Sequence, residues 1–195
     1  MRRLFIAINL PKNIKEKIRE TIERIKENAQ LPEDIRWTPP ENWHLTLTFL
    51  GYQPDENIPR ITEAIQSTIK NCAGTLKSTE IIFEKLSFAP AEKQPRMIWL
   101  SGDKETSKNL SIIKNELDNL LNENGVKFKI EHRNFNSHIT LARFEPLAKS
   151  EIENIKLPAV EKLNFRAKSL DLMESHLKRT GAEYEILTSL TFSGK

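Results

Sequence analysis

The chain reads as an α+β protein with largely antiparallel sheets. Strand-like and helix-like segments alternate along it, yet a strand-rich middle and a closing pair of strands argue against a doubly wound parallel sheet. A third observation adds internal symmetry. The segment Trp43-His44-Leu45-Thr46-Leu47-Thr48-Phe49-Leu50-Gly51 has a counterpart in Ser137-His138-Ile139-Thr140-Leu141-Ala142-Arg143, so a His-x-Thr-apolar signature is written twice. Such self-similarity points to a pseudo-symmetric site shared by two halves.

The elements follow in order. Leu4 to Leu10 is an apolar run of strand length, and Pro11 opens a helix whose Ile14, Ile18, Ile22, Ile25 and Ala29 recur at helical spacing. Pro32 and the Pro39-Pro40 pair break the chain before the first His strand, which Gly51 and Pro54 are expected to end. A second helix carries Ile61, Ile65, Ile69 and Cys72 on one side. Strands are expected near Thr79 to Phe88 and Arg96 to Ser101, then a third helix marked by Leu110, Ile113, Leu117 and Leu120 and terminated by Gly125. After the second His strand come a short helical stretch near Ser150 to Asn154 and two long strands, Phe165 to His176 and Glu183 to Phe192, with Gly181 supplying the turn.

Composition bounds the function. With 195 residues, 38% hydrophobic and 29% charged, the chain can bury a real core. The single Cys72 cannot form an intrachain disulfide and reads as a small buried hydrophobe. Met1-Arg2-Arg3 leads into a strand rather than a signal peptide, no apolar run approaches membrane length, and a reducing cytoplasm is the expected location. A net charge of +3 gives little field for holding long nucleic acid through many phosphates. Basic residues gather at Arg96, Arg133, Arg143, Lys162, Arg166, Lys168, Lys178 and Arg179; of these only Arg143 reads as more than solvated surface. No Gly-rich phosphate loop occurs.

The repeated motif carries the chemistry. A lone His on a strand is usually structural. Two strands of identical pattern are hard to explain by packing, because packing is indifferent to the polar side. Strict alternation places His and Thr on one face and the aliphatic residues beneath. Two imidazoles titrating near neutral pH can then face each other, one taking a proton while the other gives one. Zinc is not expected: the His-x-Thr pairs offer a hydroxyl where a ligand should stand, and His132 and His176 have no metal-site spacing. Trp37, Trp43 and Trp99 read as core or groove-wall residues rather than base platforms, and Tyr184 is open to the same two readings, structural or base platform.

With both motifs in this setting, the sequence resembles the 2H phosphoesterase superfamily, and within it the bacterial and archaeal RNA 2',3'-cyclic phosphodiesterases, also called 2'-5' RNA ligases. The similarity runs nearly end to end. It includes Arg3-Leu4-Phe5-Ile6-Ala7-Ile8, Arg36-Trp37-Thr38-Pro39-Pro40-Glu41-Asn42, Pro95-Arg96-Met97-Ile98-Trp99-Leu100, Glu174-Ser175-His176-Leu177 and Gly181-Ala182-Glu183-Tyr184-Glu185. One departure is Ser137, where the family often has Pro; its loss is expected to loosen the strand entry.

The resemblance implies one bilobal domain over residues 1–195, two α/β lobes related by a pseudo-two-fold axis with a groove between their sheets. It implies hydrolysis of an RNA terminal 2',3'-cyclic phosphate to a 2'-phosphate without metal or other cofactor. His44 would be the general acid to the O3' leaving group, His138 the general base on water, and Thr46 and Thr140 the phosphate contacts; the residues alone leave the order of the two His open. Reverse, ATP-independent 2'-5' ligation is implied as well. The partners implied are RNA ends bearing the cyclic phosphate, such as tRNA halves, or small nucleotides, with no membrane and a monomeric chain. Five residues beyond each His the copies diverge, to Phe49 and Arg143. Alternation puts both on the face opposite the His. In the family the matching Arg reaches the phosphate and the matching Phe can stack on the terminal base, which requires a bulge or strand end at Ala142 to Arg143. Two alternatives stay open: a nonenzymatic nucleotide-binding module of the same fold, and a phosphodiesterase of small cyclic nucleotides or ADP-ribose cyclic phosphate.

Overall fold

Two antiparallel sheets and five helices make up the computed structural model, which describes residues 1–90, 94–131, 134–178 and 181–192. The fold is thus the expected α+β one. Strand β1 (Arg2–Asn9) has five consecutive buried residues because both of its faces are covered. Helix α1 (Lys12–Asn28) follows Pro11 and buries Ile14, Ile18, Ile22 and Ile25, with Ala29 just outside as its C-cap. A two-residue strand β2 (Arg36–Trp37) and a 3-10 turn, Pro40–Asn42, lead to β3 (His44–Gln53). Next come α2 (Ile58–Asn71), α3 (Ala73–Ser78), β4 (Ile81–Ala89), β5 (Met97–Gly102) and α4 (Lys104–Glu123). The second motif lies on β6 (His138–Arg143); α5 (Lys149–Glu153), β7 (Leu163–Phe165), β8 (Ser169–Lys178) and β9 (Gly181–Thr191) complete the chain.

The first sheet has strand order β3-β1-β8-β9 and the second β2-β6-β5-β4-β7. Each lobe therefore borrows from the other half of the sequence. β8 pairs with β1, so the C-terminal hairpin completes the N-terminal sheet, and β2 pairs with the end of β6. One continuous core, including Ile6, Trp43, Leu45, Phe83, Leu100 and Ile139, fills the space between sheets and helices. β3 is an edge strand, β2 covers only the last two residues of β6, and β3 and β6 approach each other. Among the described residues, each motif thus opens its strand with one edge not paired to a neighbouring strand.

Three expectations need correction. Gly51 does not end the first His strand: its φ of 70° sits at a bulge, Leu4 pairing with Gly51 and Phe5 with Phe49, and the strand continues to Gln53. The expected strand Phe165 to His176 is two strands, because β7 belongs to the second sheet and β8 to the first, and the chain crosses between them. α3 was not foreseen; Cys72 divides it from α2 and is buried as expected, which pushes its thiol pKa up.

Ser137 tightens the strand entry rather than loosening it. Its N–H donates to Ser107 Oγ at 3.2 Å, its hydroxyl lies 2.8 Å from the same atom, and its carbonyl accepts from Gly102 N–H at 2.8 Å. Pro could make neither of the first two bonds. The start of β6 is thereby tied to the first turns of α4 at a place with no spare room. A Cβ on Gly102 would stand 2.1 Å from Ser137 Oγ and 3.2 Å from Thr106 Cγ2. Gly102→Ala is expected to cost about 1–3 kcal/mol by overpacking, and Ser137→Ala in the same chain to recover most of it, since the nearest clashing atom is gone. Urea unfolding of the two variants checks this; equal losses would show that the Ser137 contact is not the source.

Candidate active site

The first imidazole is held from both ends. Its Nδ1 lies 2.8 Å from the Asn42 carbonyl and its Nε2 2.9 Å from Thr46 Oγ1. A carbonyl cannot donate, so Nδ1 carries the proton and the neutral ring offers its Nε2 lone pair, here to the Thr46 hydroxyl. The second imidazole repeats the anchor, with Nδ1 at 2.8 Å from the Asn136 carbonyl. The repeat is in fact longer than His-x-Thr. Asn42-Trp43-His44-Leu45-Thr46 aligns with Asn136-Ser137-His138-Ile139-Thr140, and the upstream Asn escaped the sequence reading although it recurs. Only its backbone oxygen touches the ring; the buried Asn42 amide donates to the Ala182 carbonyl at 2.6 Å, fastening the first motif to β9.

The bulges decide where the diverging residues point. Ile6 pairs with Thr48 and Ala7 with Thr46, leaving Leu47 as an extra residue; Ile98 pairs with Ala142 and Trp99 with Thr140, leaving Leu141 extra. Leu47 and Leu141 stand at the same offset from their His. Each bulge turns the alternation over, so Phe49 and Arg143 come round to the side of the imidazoles. The expected irregularity is present one residue earlier than Ala142, and it occurs in both copies. Phe49 is 57% exposed and packs its ring 5.8 Å from Phe5.

His44, His138, Thr46, Thr140, Phe49 and Arg143 line one groove of about 300 Å³, together with Trp99, Tyr184 and three lysine and glutamate side chains, Lys114, Lys129 and Glu131. The two halves differ in how they wall their imidazole. His44 lies between Phe5 at 4.9 Å and the edge of Tyr184 at 5.0 Å, whereas Trp99 stacks on His138 at 3.7 Å and 20°. Trp43 is core and Trp99 groove wall, while Trp37 is partly buried with Lys26 5.6 Å over its ring. Tyr184 is a groove residue rather than only a structural one.

Of the other basic positions named, Lys162 pairs with Glu84 and Lys178 with Glu183. His132, Arg133 and Arg179 lie outside the described residues. Among the described residues one group could hold a metal: Glu174, His176 and Glu185 bring ligand atoms within 4.8 Å of one another on the β8–β9 hairpin. Arg2 already donates to Glu174 at 2.9 Å, so a cation there would meet a fixed positive charge. The cluster stands apart from the groove lining. Also among the described residues, no helix is long and apolar enough to cross a membrane.

Burial lowers the His44 pKa from 6.5 to about 4; the Asn42 carbonyl opposes this, and the positive charges of His138, Lys15 and Arg143 lower it further. Positive charge on His138 or Arg143 thus works against protonation of the His44 ring.

The chain is similar to known proteins over nearly its whole length. The pattern of the family described as LigT like Phosphoesterase matches residues 8–99 and 101–184. An RNA 2',3'-cyclic phosphodiesterase of Thermotoga maritima is 28% identical, over 98% of this chain and 96% of its own. One of Methanocaldococcus jannaschii is 29% identical, over 95% and 98%. Among solved structures, Escherichia coli LigT complexed with 3'-AMP superposes with a TM-score of 0.67 at 23% identity, over 97% of both chains. A Thermus thermophilus protein superposes with a TM-score of 0.64 at 23% identity, over 99% of both.

The depressed His44 pKa sets a stability window. The fold holds fewer protons than the unfolded chain between pH 4 and 6.5, so the unfolding free energy should rise with pH across that interval. The loss, about 3 kcal/mol at most, begins as pH falls below 6.5 and is complete below pH 4. Urea unfolding from pH 4 to 7 of the wild type and of His44→Gln tests this: the difference between the two curves should change over that window, and parallel curves would contradict the burial of the neutral ring.

Proposed function

The chain belongs to the LigT-like phosphoesterase family, and from that premise we propose that it is an RNA 2',3'-cyclic phosphodiesterase that opens the terminal ring to a 2'-phosphate by paired imidazole catalysis. The observation that carries this reading is the duplicated anchor, which aims the Nε2 of both His44 and His138 away from their backbone supports within one groove.

The substrate is an anionic diester in a strained five-membered ring. Opening it needs a water stripped of a proton and an alcohol oxygen given one, each transfer worth about 10²- to 10⁴-fold in rate. His138 takes the water's proton on Nε2 while His44 protonates O3', whose bond to phosphorus breaks. Thr46 and Thr140 donate hydroxyls to nonbridging oxygens, where charge changes in the transition state. Thr46 must leave His44 to do so, which also releases the Nε2 that is to carry the proton. Arg143 adds a planar pair of donors to the same phosphate. With an RNA 5'-hydroxyl in place of water, the same course, with O3' again the leaving group, makes a 2'-5' linkage. None of these steps calls on a metal or a nucleotide cofactor.

A half-buried His44 with a pKa near 4 is seldom protonated near neutral pH, and so holds no proton to give, until a negative charge arrives. The phosphate supplies that charge and favours the protonated ring. The basic limb of the pH profile assigned to His44 should accordingly lie at higher pH in kcat, which reports the complex, than in kcat/KM, which reports the free enzyme. His44→Ala and His138→Ala should each abolish opening of a cyclised oligonucleotide with unfolding curves close to wild type at pH 7, and the double variant should be little worse than the poorer single one. Phosphorus NMR of the product should show a 2'-monoester. A 3'-monoester would reverse the leaving group, and near-wild-type turnover of either variant would end the two-imidazole mechanism.

Divergence at the fifth residue past each His divides recognition between the lobes. Arg143→Lys should lower kcat by about tenfold or more, because the charge stays but the forked donor is lost. Phe49→Ala should mainly raise KM for substrates carrying a base. Steady-state kinetics on cyclised oligonucleotides reads both; an Arg143→Lys enzyme of unchanged kcat would return that residue to ordinary basic surface.

A further inference from the structure

The proposed reaction makes no use of a buried ion pair beside the groove. Lys114 and Asp118, one helical turn apart on α4, are each only 6% exposed and hydrogen-bond to each other, and Asp118 also accepts from Thr48 Oγ1 at 2.6 Å. Thr48 lies on β3, two residues past the motif's Thr46. Ion pairs taken out of water seldom stabilise a fold better than apolar residues of the same volume would. The position of this pair suggests another use.

Lys114 stands where the catalytic groove meets a second cavity of about 670 Å³ that runs along α4 and is more than twice as large. The two share Lys114, Glu131, Asn134, Phe135 and Asn136 as lining, so they adjoin along these residues. Farther out, the cleft presents Lys104, Lys108, Asn115 and Asn119. Its acids are partly engaged already: Asp103 caps α4 by accepting from Thr106 N–H at 2.7 Å, and Asp118 holds Lys114 and Thr48. An ammonium has three N–H donors, and Asp118 takes one. Asn amides offer the donor and acceptor pairs that base edges require, and Phe135 supplies an aromatic face.

We propose that the α4 cleft is a second nucleotide subsite, in which Lys114 takes the phosphodiester that joins the cyclised terminal nucleotide to the one before it. This rests on the phosphodiesterase reading of the groove and narrows its substrate to the end of an oligonucleotide. The groove accommodates the cyclic phosphate and its own nucleoside, the chain leaves past Lys114, and the preceding nucleotide lies against α4 with Lys108 near its outer phosphate. Asp118, itself held by Thr48, fixes the Lys114 ammonium, so no long side chain has to be ordered on binding. Occupancy also touches Asn136, whose carbonyl orients His138.

The test compares uridine 2',3'-cyclic phosphate with a tetrauridylate ending in the same cyclic phosphate, on wild type, Lys108→Glu and Lys114→Met. Wild type should prefer the tetranucleotide by about tenfold in kcat/KM, equivalent to about 1.4 kcal/mol. Both variants should reduce that ratio to about twofold or less, that is to about 0.4 kcal/mol. Lys114→Met leaves Asp118 buried without its partner and can unfold; Lys108 is exposed, so its variant carries the test alone if so. Equal kcat/KM for the two substrates in wild type, or an undiminished preference in Lys108→Glu, overturns the subsite. Equilibrium binding of a tetrauridylate with a 3'-terminal phosphate, against uridine 3'-phosphate, reads the cleft without turnover. Tighter binding of the tetranucleotide that Lys108→Glu weakens, with neither cyclic substrate hydrolysed, would retain the subsite and overturn the phosphodiesterase reading instead.

Discussion

A hydrogen bond made twice underlies the site. Each imidazole donates Nδ1–H to the carbonyl two residues upstream, which settles the tautomer and turns Nε2 away from the backbone. That bond needs the chain to turn just before the strand begins. The Pro40–Asn42 turn does this for His44, held by the Asn42 amide on Ala182, and the Ser137 bonds to Ser107 and Gly102 do it for His138. The two halves reach the same ring orientation by unlike means.

The paired bulges are the second constraint. A strand of strict period 2 cannot place residues at offsets 0, 2 and 5 on one face; an extra residue at offset 3 can. Leu47 and Leu141 are those extra residues, both buried, so the bulges cost no apolar contact while adding Phe49 and Arg143 to the groove. A symmetric frame thereby presents an aromatic ring on one side and a guanidinium on the other.

Environment separates the two imidazoles further. His44 sits among Phe5 and Tyr184 and is kept neutral by burial, with its polar contacts on Asn42 and Thr46; His138 lies flat on Trp99. Groups of identical chemistry can take opposite roles in proton transfer when their surroundings separate their affinities for the proton. The buried Lys114–Asp118 pair lies at the end of the same groove, against Thr48 of the first motif strand.

Local pattern determined a good deal of this protein by itself. The apolar spacing of α1, α2 and α4, the antiparallel character of the sheets and the two His-x-Thr strands are all properties of neighbouring residues, and periods of 3.6 and 2 record them directly. The family resemblance carried Phe49 and Arg143 into the site against the alternation. What only the tertiary structure decided is non-local. Sheet membership was hidden because β8 pairs with a strand more than 160 residues earlier, and the run from Leu163 to Lys178 has no composition mark where it changes sheets. The bulges were hidden because an extra residue is defined by the partner strand's register, which one strand cannot report. Asn42 and Asn136 were overlooked because the backbone oxygen acts, and any residue carries one. The burial of Lys114 and Asp118 against β3 was hidden as well, since spacing along a helix says which residues meet but not which side water is on.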